Sequence, residues 1–168
     1  KQDSLKASAQ KAAKAKIDPS VSASTVTYPE YGQMFKDGVF DHMVVIGYDE
    51  DGSHLSEQND HLAYLRKSGF TPIHKAGLSA EDRKKLESLT PKVSVAEMKK
   101  ANAQVPGVVR YYVKRFTDKK TGKSVIALQR LVLPVGMKAG KNSALATQKE
   151  AYIKQHMGQV DAFLYGGH

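Results

Sequence analysis

Apolar side chains recur along this chain with two different periods, and cap and turn residues mark where one period gives way to the other. The first apolar run is Phe40 to Tyr48, in which Met43, Val44, Val45 and Ile46 stand side by side. A run this short predicts a buried strand, and Asp49-Glu50-Asp51-Gly52 ends it with a turn. Ser56 then caps a helix to about Lys67 that buries Leu62, Tyr64 and Leu65, with Gly69 as its left-handed stop. Phe70 to Ile73 adds a short strand. Ser79-Ala-Glu-Asp82 and Ser94-Val-Ala-Glu97 each place an acid three residues after a serine and predict helices over about 80–89 and 95–104. The second is the better capping box.

The clearest element is a hairpin. Val108 to Phe116 and Ser124 to Leu133 are β-rich runs joined by Thr-Asp-Lys-Lys-Thr-Gly-Lys, with Gly122 available for a positive φ. Val109, Tyr111 and Val113 form an apolar face on the first strand, and Arg110, Tyr112 and Lys114 form the other. The second strand is apolar on both faces and so belongs in the middle of a sheet. Pro134 ends it. After a Gly-containing loop, Ser143 caps a last helix running to about Leu164, with Leu145, Tyr152, Met157, Val160 and Leu164 on or near one face.

The N-terminal pattern differs. Residues 4–16 are strong helix formers without an apolar stripe, and such a helix is marginal when isolated at ~13 residues. Residues 18–33 are rich in Ser, Thr, Pro and Gly and read as an extended connector in which Tyr28 and Tyr31 flank Pro29-Glu30. The chain therefore divides into a basic arm and linker (1–33) and a single α+β domain (34–168). The domain is expected to be a small antiparallel sheet with a C-terminal hairpin at about 108–133, packed by several helices.

The 168 residues contain no cysteine, which excludes a disulfide scaffold, a Cys-ligated metal and thiol catalysis. The longest near-pure apolar run, Val125 to Leu133, is far short of a membrane span of ~18 residues. The first sixteen residues are Lys- and Ala-rich rather than an apolar leader, and with no initiator methionine the chain reads as processed or as a fragment. A virion or the cytoplasm is the expected location.

The net charge of +9 is unevenly placed. Residues 21–60 carry one Lys against eight acids, whereas residues 101–140 carry eight basic side chains against Asp118 alone. Such blocks either neutralise each other within the fold, join copies head to tail, or point the basic half at phosphate.

Basic and aromatic residues alternate on the hairpin, a pattern that suits single-stranded nucleic acid because bases stack on rings while cations hold the backbone. Arg110, Tyr112, Lys114, Arg115, Lys119, Lys120, Lys123 and Arg130 make up this candidate surface. The same residues also fit an ordinary solvated face with a Lys-rich turn. Asp49, Asp51, Ser53, His54, Asp60 and His61 begin like a calcium loop, but His54 and Asp60 occupy the places that need Gly and Glu. Gly136 to Ser143 lies where a phosphate loop would, yet Asn142 separates Lys141 from Ser143. The six histidines show no ligand spacing. No cofactor or metal is expected, and no catalytic motif is present.

The sequence thus predicts a non-catalytic structural component of a large assembly, of virion or ribonucleoprotein type. Its partners would be other protein subunits, including copies of itself, with Lys6, Lys11, Lys14, Lys16, Tyr28 and Tyr31 as arm contacts. The alternative is a stand-alone nucleic-acid-binding protein using the hairpin.

Overall fold

The computed structural model describes residues 34–47, 53–119, 121–135 and 144–166, all within a unit spanning Tyr31–His168. The helix expected at 4–16, the connector at 18–33 and the loop at 136–143 lie outside the described residues, as do Lys6, Lys11, Lys14, Lys16, Tyr28, Tyr31 and Lys120.

Five strands form one mixed sheet: β1 (Val39–Ile46), β2 (Thr71–Pro72), β3 (Val109–Thr117), β4 (Ser124–Val132) and β5 (Ala162–Gly166), in the order β2-β3-β4-β1-β5. Four helices accompany them among the described residues: α1 (Ser53–Lys67), α2 (Ala80–Glu87), α3 (Val95–Ala103) and α4 (Ala144–His156). The architecture is α+β with helices packed on a sheet. The sheet is mixed rather than antiparallel. β1 runs parallel to both β4 and β5, while β3 is antiparallel to β4 and to β2.

The hairpin pairs from Val109 with Val132 to Thr117 with Ser124. Gly122 takes φ +70°, the conformation its turn requires. β4 is the central strand, and every residue after Ser124 is buried, because both of its faces are covered. On one face, Val39, Met43, Tyr111, Val113, Ile126 and Leu128 meet Leu86 of α2 and Val95 and Met98 of α3. On the other, Val44, Ile46 and Leu131 receive Leu62 of α1 together with Tyr112 and Leu133.

Both capping boxes form. The Ser79 hydroxyl accepts from Asp82 N–H at 3.1 Å, and the Asp82 carboxylate accepts from Ser79 N–H at 2.9 Å. Ser94 and Glu97 repeat this at 3.1 and 2.8 Å. A cap contributes about 1 kcal/mol, against roughly 1.5–3 kcal/mol for each large apolar side chain fully buried. Packing therefore holds the helices and capping sets where they start.

Three local expectations are corrected. α1 begins at Ser53, about one turn before Ser56, and Tyr64 is exposed on its outer side. The last helix ends at His156 instead of Leu164. The chain turns through Met157–Asp161, and Asp161 clamps the start of β5 to β1: its N–H donates to the Asp41 carbonyl at 2.8 Å, and its carboxylate accepts from Asp41 N–H at 2.8 Å. Met157 and Leu164, expected on the packed helix face, are both exposed.

Candidate interaction surfaces

The cations of the hairpin are largely engaged by the fold itself. Arg110 closes the C-terminal end of α3, donating to the carbonyls of Ala101 at 2.9 Å and Gln104 at 2.6 Å. A Cβ at Gly107 would stand 2.5 Å from that guanidinium, so the approach depends on glycine. Lys114 donates to the Ser68 carbonyl at 2.7 Å. Arg115 is paired with Asp82, joining β3 to the cap of α2. Tyr112 is half-buried under α1 rather than displayed as a stacking platform. Lys119 and Lys123 are exposed at the turn.

Arg130 is corrected outright as a phosphate contact. It is 0% exposed and gives a forked pair of hydrogen bonds to Asp41, itself 2% exposed, at 2.8 and 2.6 Å. In the register of the hairpin it lies opposite Tyr111, on the face covered by α2, α3 and α4. Its third nitrogen reaches His156 Nδ1 at 2.9 Å and the Tyr152 hydroxyl at 3.4 Å, and Tyr152 in turn bonds the Tyr111 hydroxyl at 3.0 Å.

Burial raises the Asp41 carboxyl, and the Arg130 guanidinium pulls it back. Burial, with the Arg130 charge added, lowers His156 to about 4, so it stays neutral and accepts from Arg130 through Nδ1. Lys149 is buried, donates to the carbonyls of Ile46 and Gly47 at the end of β1, and is lowered by burial to about 8. These groups pin α4 to the sheet. The Asp41–Arg130 pair is closed to solvent, so this arrangement serves cohesion.

The opposite face has a smaller polar seam. His42 donates from Nε2 to the Gln129 side-chain oxygen at 2.8 Å, and the Gln129 amide reaches His61 of α1. Burial lowers both histidines, which keeps them in the neutral forms this chain of bonds uses. Among the described residues no group of three or more His, Cys, Asp or Glu side chains is arranged to hold a metal ion. No described helix is long and apolar enough to cross a membrane.

The surface that sequence reasoning missed is β5. It has β1 on one side and no strand on the other among the described residues. Phe163, Leu164 and Tyr165 are 42%, 60% and 48% exposed, in a strand carrying no charge. The opposite edge, β2, is two residues long and contains Pro72, both of which discourage pairing. The sequence of β5, Ala-Phe-Leu-Tyr-Gly, is aromatic-rich, but its first residues continue a run that also fits helical spacing, so no local signal separates strand from helix there.

The chain matches no family model, and comparison with curated proteins and with solved structures found no similar protein.

Proposed function

We propose that the chain is a non-catalytic structural component of a large macromolecular assembly, of virion or ribonucleoprotein type. The observation that carries this reading is the β5 edge, where an uncharged, aromatic-rich strand lies at the border of an otherwise well-covered sheet. An exposed, apolar edge strand of this kind is a template for association with another chain. The body would meet its neighbours there. The arm, with Lys6, Lys11, Lys14, Lys16, Tyr28 and Tyr31, would extend over them, adding contact area at an ordering cost.

The second reading, a stand-alone nucleic-acid-binding protein, rests on the exposed Lys119 and Lys123 and on Arg83, Lys84 and Lys92, which line a groove of about 570 Å³ beside α2. It has lost most of its strand-face residues to internal bonds. The test is the solution mass of the nuclease-treated full chain against a chain lacking residues 1–20. Particles that shrink on truncation support the assembly reading. Monomers that bind nucleic acid with a steep salt dependence favour the second.

A further inference from the structure

Resting on the assembly reading above, we propose that β5 pairs antiparallel with β5 of a second copy of this chain, about a two-fold axis at Leu164, so that two sheets join into one of ten strands. The sequence of the strand, Ala162-Phe-Leu-Tyr-Gly166, runs small, aromatic, leucine, aromatic, small, the same in both directions. With the axis at Leu164, Leu164 faces Leu164, Phe163 of each copy faces Tyr165 of the other, and Ala162 faces Gly166. Moving the axis to Phe163 sets Leu164 against Ala162 and Tyr165 against Asp161, and moving it to Tyr165 sets Leu164 against Gly166, so either shift loses that match.

The hydrogen-bond phase of the sheet is compatible with this register and excludes an axis lying between two residues. The Gly166 carbonyl accepts from Gly47 N–H at 2.7 Å, so Gly166 turns its backbone groups towards β1. By alternation Leu164 does likewise, and Phe163 turns its N–H and C=O outwards. Leu164 opposite Leu164 is then the non-hydrogen-bonded pair, in which side chains approach most closely, and Phe163 opposite Tyr165 is the hydrogen-bonded pair. Leu164 aligns with Val44 and Phe163 with Met43, so the leucines meet on the face covered by α1 and the aromatics on the face covered by α4. Cross-strand aromatic pairs are among the stronger ones.

Charge argues for a second copy over a partner of another kind. β5 carries no cation for an acidic strand or a phosphate to meet. Residues 61–140, which carry most of the excess basic charge, supply the end of α1 together with α2, α3, β2, β3 and β4. The exposed turn lysines Lys119 and Lys123 lie between β3 and β4, and β2 and β3 stand farthest from β5 in the sheet order. Pairing through β5 keeps the two basic regions at the outer ends of the joined sheet, which limits their repulsion. A five-residue strand buries less than a standard interface of ~1,200 Å², so dissociation in the micromolar range is expected.

The chain has no cysteine, so Leu164→Cys introduces a single thiol. Mild oxidation of the full chain should convert L164C to a covalent dimer about tenfold faster than F163C. Residues facing each other across a non-hydrogen-bonded pair lie within disulfide reach, whereas the two copies of residue 163 lie on a diagonal at roughly 7–8 Å. Unchanged far-UV circular dichroism in both variants makes the comparison fair. Equal rates, or no covalent dimer with L164C at concentrations of hundreds of micromolar, overturn the pairing. A chain that forms large particles without preference for position 164 overturns the β5 pairing and leaves the assembly reading standing. One that cross-links at 164 and never exceeds a dimer keeps the pairing and overturns the assembly reading.

Discussion

Replacing Arg130 by methionine removes the cation from beneath α4 and leaves the Asp41 carboxylate, 2% exposed, without its two charge-assisted hydrogen bonds at 2.8 and 2.6 Å. Breaking one side of a buried ion pair costs about 3–5 kcal/mol, because the remaining charge is neither solvated nor compensated. His156 Nδ1 and the Tyr152 hydroxyl lose a donor at the same time, which places R130M towards the upper end. A domain of this size has roughly 5–15 kcal/mol in total, so the variant is left marginal. Urea unfolding followed by circular dichroism should show the midpoint falling by about 2 M at an m-value near 2 kcal/mol/M. The pair itself contributes little net stability relative to apolar replacements. The double variant D41L/R130M should therefore recover at least about 2 kcal/mol of the loss, and its recovery carries the test if R130M alone fails to fold. A loss below about 1 kcal/mol in R130M, or a double variant no more stable than the single, would refute the reasoning.

Other consequences are open to equally direct measurement. His156 is neutral in the fold with its pKa lowered to about 4 from 6.5, so its contribution is fully present above pH 6.5 and is lost as pH falls from 6.5 towards 4. The full effect is about 3 kcal/mol. His42 and His61, also lowered, act in the same direction, whereas Asp41, raised by burial, opposes them. His156→Asn, which keeps an acceptor towards Arg130, should flatten the dependence of the urea midpoint on pH across that window; a slope identical to that of the parent chain counts against the assignment. Ser94→Ala removes the cap of α3 and should cost about 1 kcal/mol by thermal or urea unfolding. Lys119→Ala and Lys123→Ala, at exposed turn positions, should change stability by less than about 0.5 kcal/mol. If the chain binds nucleic acid through the turn, each of these two should lower the salt slope by about one.

The hairpin, the caps and the glycine stops were legible because each is a local pattern. Alternation over Val109–Val113 fixes one face, Ser-x-x-acid fixes two helix starts, and Gly69 and Gly122 take φ +80° and +70°. β5 was hidden for the opposite reason. Its partner, β1, lies about 120 residues earlier in the chain, and a parallel pairing leaves no turn signal between the two strands. Read alone, Tyr152 to Leu164 fits helical spacing, and only the Asp161–Asp41 clamp and the ladder to β1 decide otherwise.

Arg130 illustrates a signal that was present and misassigned. Counting hairpin cations without assigning each to a face grouped it with Arg110 and Lys114, although the register sets it opposite the inward-facing Tyr111. A charge set in so apolar a strand as β4 requires an opposite partner when buried. Asp41, the only acid within β1, is that partner. The candidate surface was less legible than the fold, because exposure at β5 follows from the strand order and not from any local feature of the sequence.

The mass of the nuclease-treated chain, followed by light scattering as concentration rises at low and at high salt, bears most directly on the assembly reading. Masses well above the 18.4 kDa monomer, growing with concentration beyond a dimer and keeping at least a dimer at high salt because β5 carries no charge, are the predicted result. A single 18.4 kDa species at every concentration and both salts would contradict it.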